Sequence, residues 1–209
     1  MELLTQGLQK MQIKLADSAL QQLLDYVALL AKWSKFYNLT TVRDPENIIS
    51  HHILDSLTLL PYLDNVQTVL DVGTGAGLPG IPLAIARPDI LFRLIDSQQK
   101  KINFVQHVIT SLKLSNVSAI WTRIESLQDS PQVDMIVSRA FASLSDFTNL
   151  IAGLCDEKTR IVAMKGRREQ VGNEQLNLSP GFKLNHIETV TVPYLNAERC
   201  VVFLTKQED

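Results

Sequence analysis

Residues 70–80 read LDVGTGAGLPG, an apolar run that breaks into four glycines. Glycines in this density let a backbone approach a nucleotide closely and take φ > 0 where the turn needs it. Two signatures overlap here. Gly75, Gly77 and Gly80 spell G-x-G-x-x-G, the dinucleotide pattern, whose chemistry is hydride transfer. Gly73, Gly75 and Gly77 spell G-x-G-x-G with Asp71 two residues ahead, a pattern suited to S-adenosylmethionine and methyl transfer. Asp71 favours the second. NAD would lay a doubly charged pyrophosphate over the loop, and a carboxylate beside it raises the energy of that anion. S-adenosylmethionine has no phosphate, and its sulfonium and ammonium are both attracted by an aspartate. Thr74 and Leu78 complete the candidate loop. Asp96 and Ser97, in LIDS, form a second candidate contact, because an acid at that point accepts hydrogen bonds from ribose hydroxyls. Both cofactors use that device, so it supports a nucleoside without separating them.

These residues need elements to hold them. TVLDV (68–72) reads as a strand feeding the glycine loop, and LPGIPLAIA as a buried helix, apolar all round, with Pro79 and Pro82 in its first turn. ILFRLID is a second strand, and the following helix turns Ile102, Val105, Ile109 and Leu112 inward. VSAIW and VDMIVSR are strands three and four, Leu144–Leu154 a helix, and RIVAMKG strand five. A polar stretch, RREQVGNEQLNLSP, precedes HIETVTVPY and RCVVFLTK. Repeated strand–helix–strand units require a parallel sheet covered on both faces. Only LNAE separates the last two runs, too short for a parallel crossover, so they must form an antiparallel hairpin. The expected fold is α/β: a seven-stranded, Rossmann-like methyltransferase sheet with that hairpin at its end. Residues 1–62 read as a helical extension and 63–209 as the methyltransferase domain. In the extension, Leu20, Leu23, Leu24, Val27, Leu30 and Ala31 share a helix face capped by Asp17 or Ser18. A second helix starts at Asp44–Pro45–Glu46 and runs to Leu60, before Pro61. YNLTTV connects the two.

The 209 residues are 45% hydrophobic and 20% charged, as in an ordinary globular protein. No apolar run approaches the roughly 18–20 residues of a membrane helix, and the opening MELLTQGLQK does not read as a secretory signal. Cys155 and Cys200 offer neither metal spacing nor a disulfide framework, which suits a reducing cytoplasm, and no metal is expected. A net charge of −2 speaks against a protein that simply coats nucleic acid, yet allows a local basic patch.

LDVGTGAGLPGIPLAI, LIDSQQKKINF, IVSRAFASL, AMKG, WSKFYNLT and HILDS span residues 33–166 and resemble the motifs of the RsmG (GidB) family, in the family's order along the chain. One departure is His51, where members often have Arg. The resemblance implies an S-adenosylmethionine-dependent enzyme that methylates N7 of one guanine in bacterial 16S ribosomal RNA of the small subunit. It also implies cofactor contacts at Gly73, Leu78, Ile124, Glu125 and Arg139. A monomer is the expectation. The alternatives are an NAD-dependent oxidoreductase and a non-catalytic RNA-binding assembly factor.

Guanine N7 exposes a lone pair in the neutral base, so such a reaction needs proximity and alignment rather than a base. Arginine suits the task, donating two hydrogen bonds to base oxygens or phosphate. Arg139 and Arg123 follow strands four and three at the carboxyl edge and are read as catalytic; Lys165 and Lys100 share that rim and admit either an RNA contact or a plain surface charge. Lys101, Arg167 and Arg168 read as surface charges. His52 and Asp55 share a helix side. The plainer reading is a buried histidine bonded to a neighbour; the alternative has the pair lining the pocket mouth and orienting an arginine or the base. Asn38 caps a turn or reads a base edge. Trp33, Phe36 and Tyr37 read as packing of their helix on the main domain.

Overall fold

The computed structural model describes all residues except 128–131, 140, 142, 169–170, 172–177 and 208–209. Ala140 and Ala142 of SRAFASL and much of the polar stretch after Gly166 therefore lie outside the described residues.

Helices α1 (Glu2–Lys10) and α2 (Asp17–Tyr37) come first. The expected side-chain cap on α2 is absent: Ala16 occupies the cap position and Asp17 lies in the first turn, where its charge still favours the helix N-terminus. Asp44 does cap the next helix, its Oδ2 accepting from Asn47 N at 3.0 Å. That helix is not regular. α3 (Pro45–Ile48) passes through a π-helical turn, Ile49–Leu54, into α4 (Asp55–Leu57), and Pro61 then opens a separate 3₁₀ turn. The extra residue in a π turn re-aims the side chains beyond it, a feature often found at functional sites.

From residue 68 the chain alternates as its pattern predicts. The elements are β1 (Thr68–Val72), α5 (Gly80–Ala86), β2 (Leu91–Asp96), α6 (Gln99–Leu112), β3 (Val117–Trp121), β4 (Met135–Ser138), α7 (Leu144–Ile151), β5 (Arg160–Lys165), β6 (Phe182–Val190) and β7 (Arg199–Lys206). The seven strands are ordered β3-β2-β1-β4-β5-β7-β6. β1 to β5 are parallel; β7 is antiparallel to both β5 and β6, so the chain does close in the hairpin that the short LNAE linker requires. β6 starts at Phe182, four residues before the apolar run that marks it in the sequence, since its outer positions are exposed.

Successive strand residues face opposite sides of the sheet. Val69, Met135, Val162 and Val201 join one core; Leu70, Ile136, Ile161 and Val202 join the other. The first core also takes Leu4 and Leu8 of α1, Tyr26 and Leu30 of α2, and Ile48, Ile53 and Leu57. The helices of residues 1–62 thus share one apolar interior with that sheet face. The sheet order reverses between β1 and β4, and at such a switch point the carboxyl ends of the strands open a crevice.

Candidate functional site

The glycine loop is built around one buried carboxylate. Asp71, expected beside a ligand, lies under the loop instead: Oδ2 accepts from Thr74 Oγ1 at 2.6 Å and from Gly80 N at 2.9 Å. Its Oδ1 is buried with no hydrogen-bond partner among the described residues. Burial pushes this carboxyl up to about 6, while the bonds from Thr74 and Gly80 and the charge of Arg139 work the other way. Asp71 is therefore still mostly ionised at neutral pH. This explains why the loop also matches the dinucleotide spelling. A Cβ on Gly80 would sit 2.8 Å from Asp71 Oδ2, so the third glycine admits the carboxylate. At Gly77 the reason is conformational as well, with φ +93° and Ile81 Cγ1 2.5 Å from where a Cβ would stand. Tyr26 of α2 supports the loop from below, donating to Ala76 O at 2.8 Å. Nothing in the spacing of α2 distinguishes that tyrosine from ordinary core.

Above the loop lies a cavity of about 420 Å³. The candidate cofactor contacts Gly73, Asp96, Ser97, Ile124 and Glu125 line it, and so does Arg123, which the sequence reads as catalytic. Asp96 accepts from Gly75 N through Oδ2 (2.9 Å) and from Gln98 N through Oδ1 (2.8 Å), which fixes its orientation and leaves lone pairs for further donors. Val72, Ile95, Phe141 and Leu150 supply apolar walls. Apolar faces with one carboxylate held in a fixed orientation fit a nucleoside such as that of S-adenosylmethionine. Thr74, Gly75, Gly77 and Leu78 do not line the cavity; Leu78 is buried in the core under the loop. Lys101, read as a plain surface charge, lines it instead, 3.7 Å from Asp96 Oδ2. Lys100 is exposed and lines neither this cavity nor the next, because one step along a helix turns a side chain by roughly 100°.

A second cavity of about 380 Å³ opens on the other side of the β4 end. Val42, His51, His52, Asp55, Arg139, Lys165 and Arg199 line it. Arg139, implied as a cofactor contact, stands here and not on the first cavity. Its Nη1 donates to Asp55 Oδ2 at 3.2 Å, to His51 O at 3.2 Å and to His52 Nδ1 at 3.4 Å. Asp55 Oδ1 accepts from Arg199 Nε at 3.1 Å. One buried carboxylate, its side chain 3% exposed, thus fixes two guanidiniums that are 22% and 25% exposed. His52 and Asp55 are both buried, and both contact the Arg139 guanidinium. Because an arginine only donates, His52 Nδ1 must accept, which puts the ring proton on Nε2, 2.7 Å from Thr40 Oγ1. Burial, with Arg139 beside it, lowers His52 to about 4, so it is neutral at pH 7. Lys165 Nζ donates to Phe141 O at 3.1 Å and so links the walls of the two cavities.

Asn38 lies outside both cavities. It ends α2 in the left-handed conformation, its Oδ1 accepting from Arg43 Nη2 at 3.1 Å. Arg199 has no counterpart among the expected residues, yet the hairpin carries the signal. An antiparallel β7 beside β5 must begin where β5 ends, and Cys200 is paired with Lys165. The first residue of β7, Arg199, therefore reaches the carboxyl edge.

Among the described residues no helix is long and apolar enough to cross a membrane, and no cluster of His, Cys, Asp or Glu has metal-ligand geometry. The family model described as rRNA small subunit methyltransferase G (GidB) matches residues 19–202. A protein of Idiomarina loihiensis named ribosomal RNA small subunit methyltransferase G is 45% identical over 200 residues, 96% of each chain. One of the same name from Neisseria meningitidis is 43% identical over 206 residues, 99% of this chain and 98% of that one. In structure the chain resembles a SAM-dependent methyltransferase from Aquifex aeolicus, with a TM-score of 0.60 at 18% identity over 81% of this chain and 97% of the other. That likeness carries the α/β methyltransferase fold. With nearly the whole length matched at this identity, the chain belongs to the rRNA small subunit methyltransferase G (GidB) family.

Proposed function

We propose that this protein transfers a methyl group from S-adenosylmethionine to N7 of a guanine in bacterial 16S ribosomal RNA, acting on the small ribosomal subunit in the cytoplasm. Family membership supports the reaction class. The observation that carries the reading is the pair of cavities whose walls are linked by the Lys165–Phe141 contact, one with nucleoside-type walls and one with two clamped arginines.

The cofactor, held by Gly73, Asp96, Ser97, Ile124 and Glu125, supplies an electrophilic methyl carbon on a cationic sulfur. Asp96 would take the ribose hydroxyls, and Ile124 with Glu125 would frame the adenine. Asp71 holds the loop in shape and leaves negative charge beneath it. In the second cavity Arg139 and Arg199 keep donors free of Asp55: Nη2 of each has no partner among the described residues. These fit guanine O6 or a flanking phosphate, leaving N7 unbonded. His52 is neutral with both nitrogens engaged, in keeping with a reaction in which no proton has to leave before attack. The gain in rate comes from holding the base in line and excluding water. Arg123 and Lys165 add charge around the mouth, and residues 1–62 serve RNA docking.

Purified protein with labelled S-adenosylmethionine should label small-subunit RNA from a strain lacking the gene, at a single guanine. Unlabelled RNA would sink the proposal. The oxidoreductase alternative predicts stabilisation by NADH in thermal unfolding; the cofactor proposed here predicts stabilisation by S-adenosylmethionine or its demethylated product alone.

A further inference from the structure

The C-terminal end of α2 carries aromatic surface that the sequence reads as packing. Trp33 does pack, its ring 5.4 Å from Phe104 and 5.0 Å from His107 of α6. Phe36 does not: it is 77% exposed, and Tyr37, its ring 5.2 Å from that of Trp33, is 47% exposed. With Lys32 and His107 these rings line a groove of about 320 Å³. An exposed phenylalanine and tyrosine side by side, resting on a half-buried tryptophan, are costly surface for a protein to leave bare.

The charge around the groove is segregated. Residues 26–43 contain Lys32, Lys35 and Arg43 and no carboxylate. Residues 97–124 contain Lys100, Lys101, Lys113 and Arg123 and no carboxylate. The other 13 of the chain's 20 Lys and Arg share the remaining sequence with all 22 Asp and Glu. The two acid-free segments meet where α2 packs on α6. Of these cations Lys32 lines the groove itself, beside the exposed rings.

Helix α6 and the chain after α2 lead from this face toward the two cavities. Lys100 and His107 are seven residues apart on α6, so they lie on one strip separated by about 10 Å of helix. Its neighbour Lys101 lines the cofactor cavity. On the other side Tyr37 is three residues from Thr40, hence within about 11 Å along the backbone. The Thr40 hydroxyl contacts His52 on the wall of the second cavity.

We propose that the α2–α6 face is the docking track for a single-stranded segment of the ribosomal RNA next to the target guanine. Its bases stack on Phe36 and Tyr37, and its phosphates run past Lys32 and Lys100. Stacking is sequence-tolerant and the lysines read only phosphate, so the track supplies affinity and register, while the arginine cavity selects the base. The proposal rests on the methyltransferase reading for its choice of RNA.

The test uses full-length protein and small-subunit RNA from a strain lacking the gene. Phe36→Ala should weaken RNA binding roughly five- to hundredfold and raise KM for RNA, the loss of one stacked base. Phe36→Trp should restore both. Lys32→Glu should weaken binding and flatten its salt dependence between about 50 and 200 mM. Stabilisation by S-adenosylmethionine should be unchanged in all three, which certifies the fold. Phe36→Ala with wild-type RNA affinity and KM overturns the track. So does a wild-type dimer in sedimentation that Phe36→Ala dissociates, which would assign the face to a second copy. If wild-type protein binds this RNA through Phe36 but transfers no methyl group, the track stands and the proposed reaction falls. If it methylates the RNA while Phe36→Ala binds as wild type, the reverse holds.

Discussion

Asp55 is the most informative single position, because one carboxylate holds two guanidiniums. Asp55→Asn keeps the size and removes the charge. Arg139 and Arg199, at 3.2 and 3.1 Å from the carboxylate, would then face each other with an amide between them that satisfies only one and presents a donor to the other. At an effective dielectric of 20, each contact is worth at most about 5 kcal/mol before desolvation is charged against it. Breaking a buried pair by removing one partner costs about 3–5 kcal/mol. The carboxylate is buried but both arginines are partly wet, so solvent screening brings the expected loss to roughly 2–4 kcal/mol. For a domain of this size that lowers the melting temperature by roughly 5–15 °C. Urea unfolding of wild type, Asp55→Asn, Arg199→Ala and the double variant closes a cycle. If the geometry is right, the Asp55→Asn loss shrinks by about 1 kcal/mol or more once Arg199 is gone. Methyl transfer by Asp55→Asn should fall even at temperatures where the variant is fully folded, since Arg139 is no longer held. Additive losses, or a variant within about 0.5 kcal/mol of wild type with full transfer, would refute the clamp.

Three further outcomes are expected. Arg139→Ala should stay folded and bind S-adenosylmethionine while single-turnover transfer drops by roughly a hundredfold or more; unchanged turnover would remove it from the site. Gly77→Ala should lower stability by about 1–3 kcal/mol and weaken S-adenosylmethionine binding, because φ is +93° and Ile81 blocks the new methyl group; an unshifted melting curve would contradict the loop geometry. His52, lowered to about 4 from 6.5, binds its proton more readily unfolded, so its contribution to stability is complete above pH 6.5 and is lost as pH falls toward 4. Between pH 7 and 5 that is roughly 2 kcal/mol, read as the difference in pH dependence between wild type and His52→Gln; Asp71, raised to about 6, pulls the opposite way in both and cancels.

The main domain was legible because its signals are local. Each strand from β1 to β5 is a short apolar run, α5 is buried along most of its length, and a four-residue linker forces the closing hairpin. The extension was harder to read. Periodicity assumes a constant turn, and the π turn at Ile49–Leu54 breaks that assumption within the segment that carries His51, His52 and Asp55. Phe36 failed for another reason: an exposed aromatic and a core aromatic are the same letter, and only packing separates them. Lys100 and Lys101 differ by one step, and the sheet, not the sequence, decides which of them reaches Asp96.

The two cavities show where reading from one chain stops. The loop's partners are neighbours: Asp71, Thr74 and Gly80 lie within ten residues, so a local motif records them. The arginine clamp joins residues 84 and 144 positions apart, and no spacing in the sequence marks Asp55, Arg139 and Arg199 as a set. Topology narrows the search. Parallel strands deliver Arg139 to the carboxyl edge, and an antiparallel β7 delivers Arg199 to the same edge, so two cations converge there. Like charges brought together at a partly buried edge need a counter-charge, and the helix laid across that edge must supply it. Within Pro45–Leu57 only Glu46 and Asp55 are acids, and Glu46 is exposed in the first turn. Asp55 could thus have been assigned from charge balance once the strand order was known, before any side chain was placed.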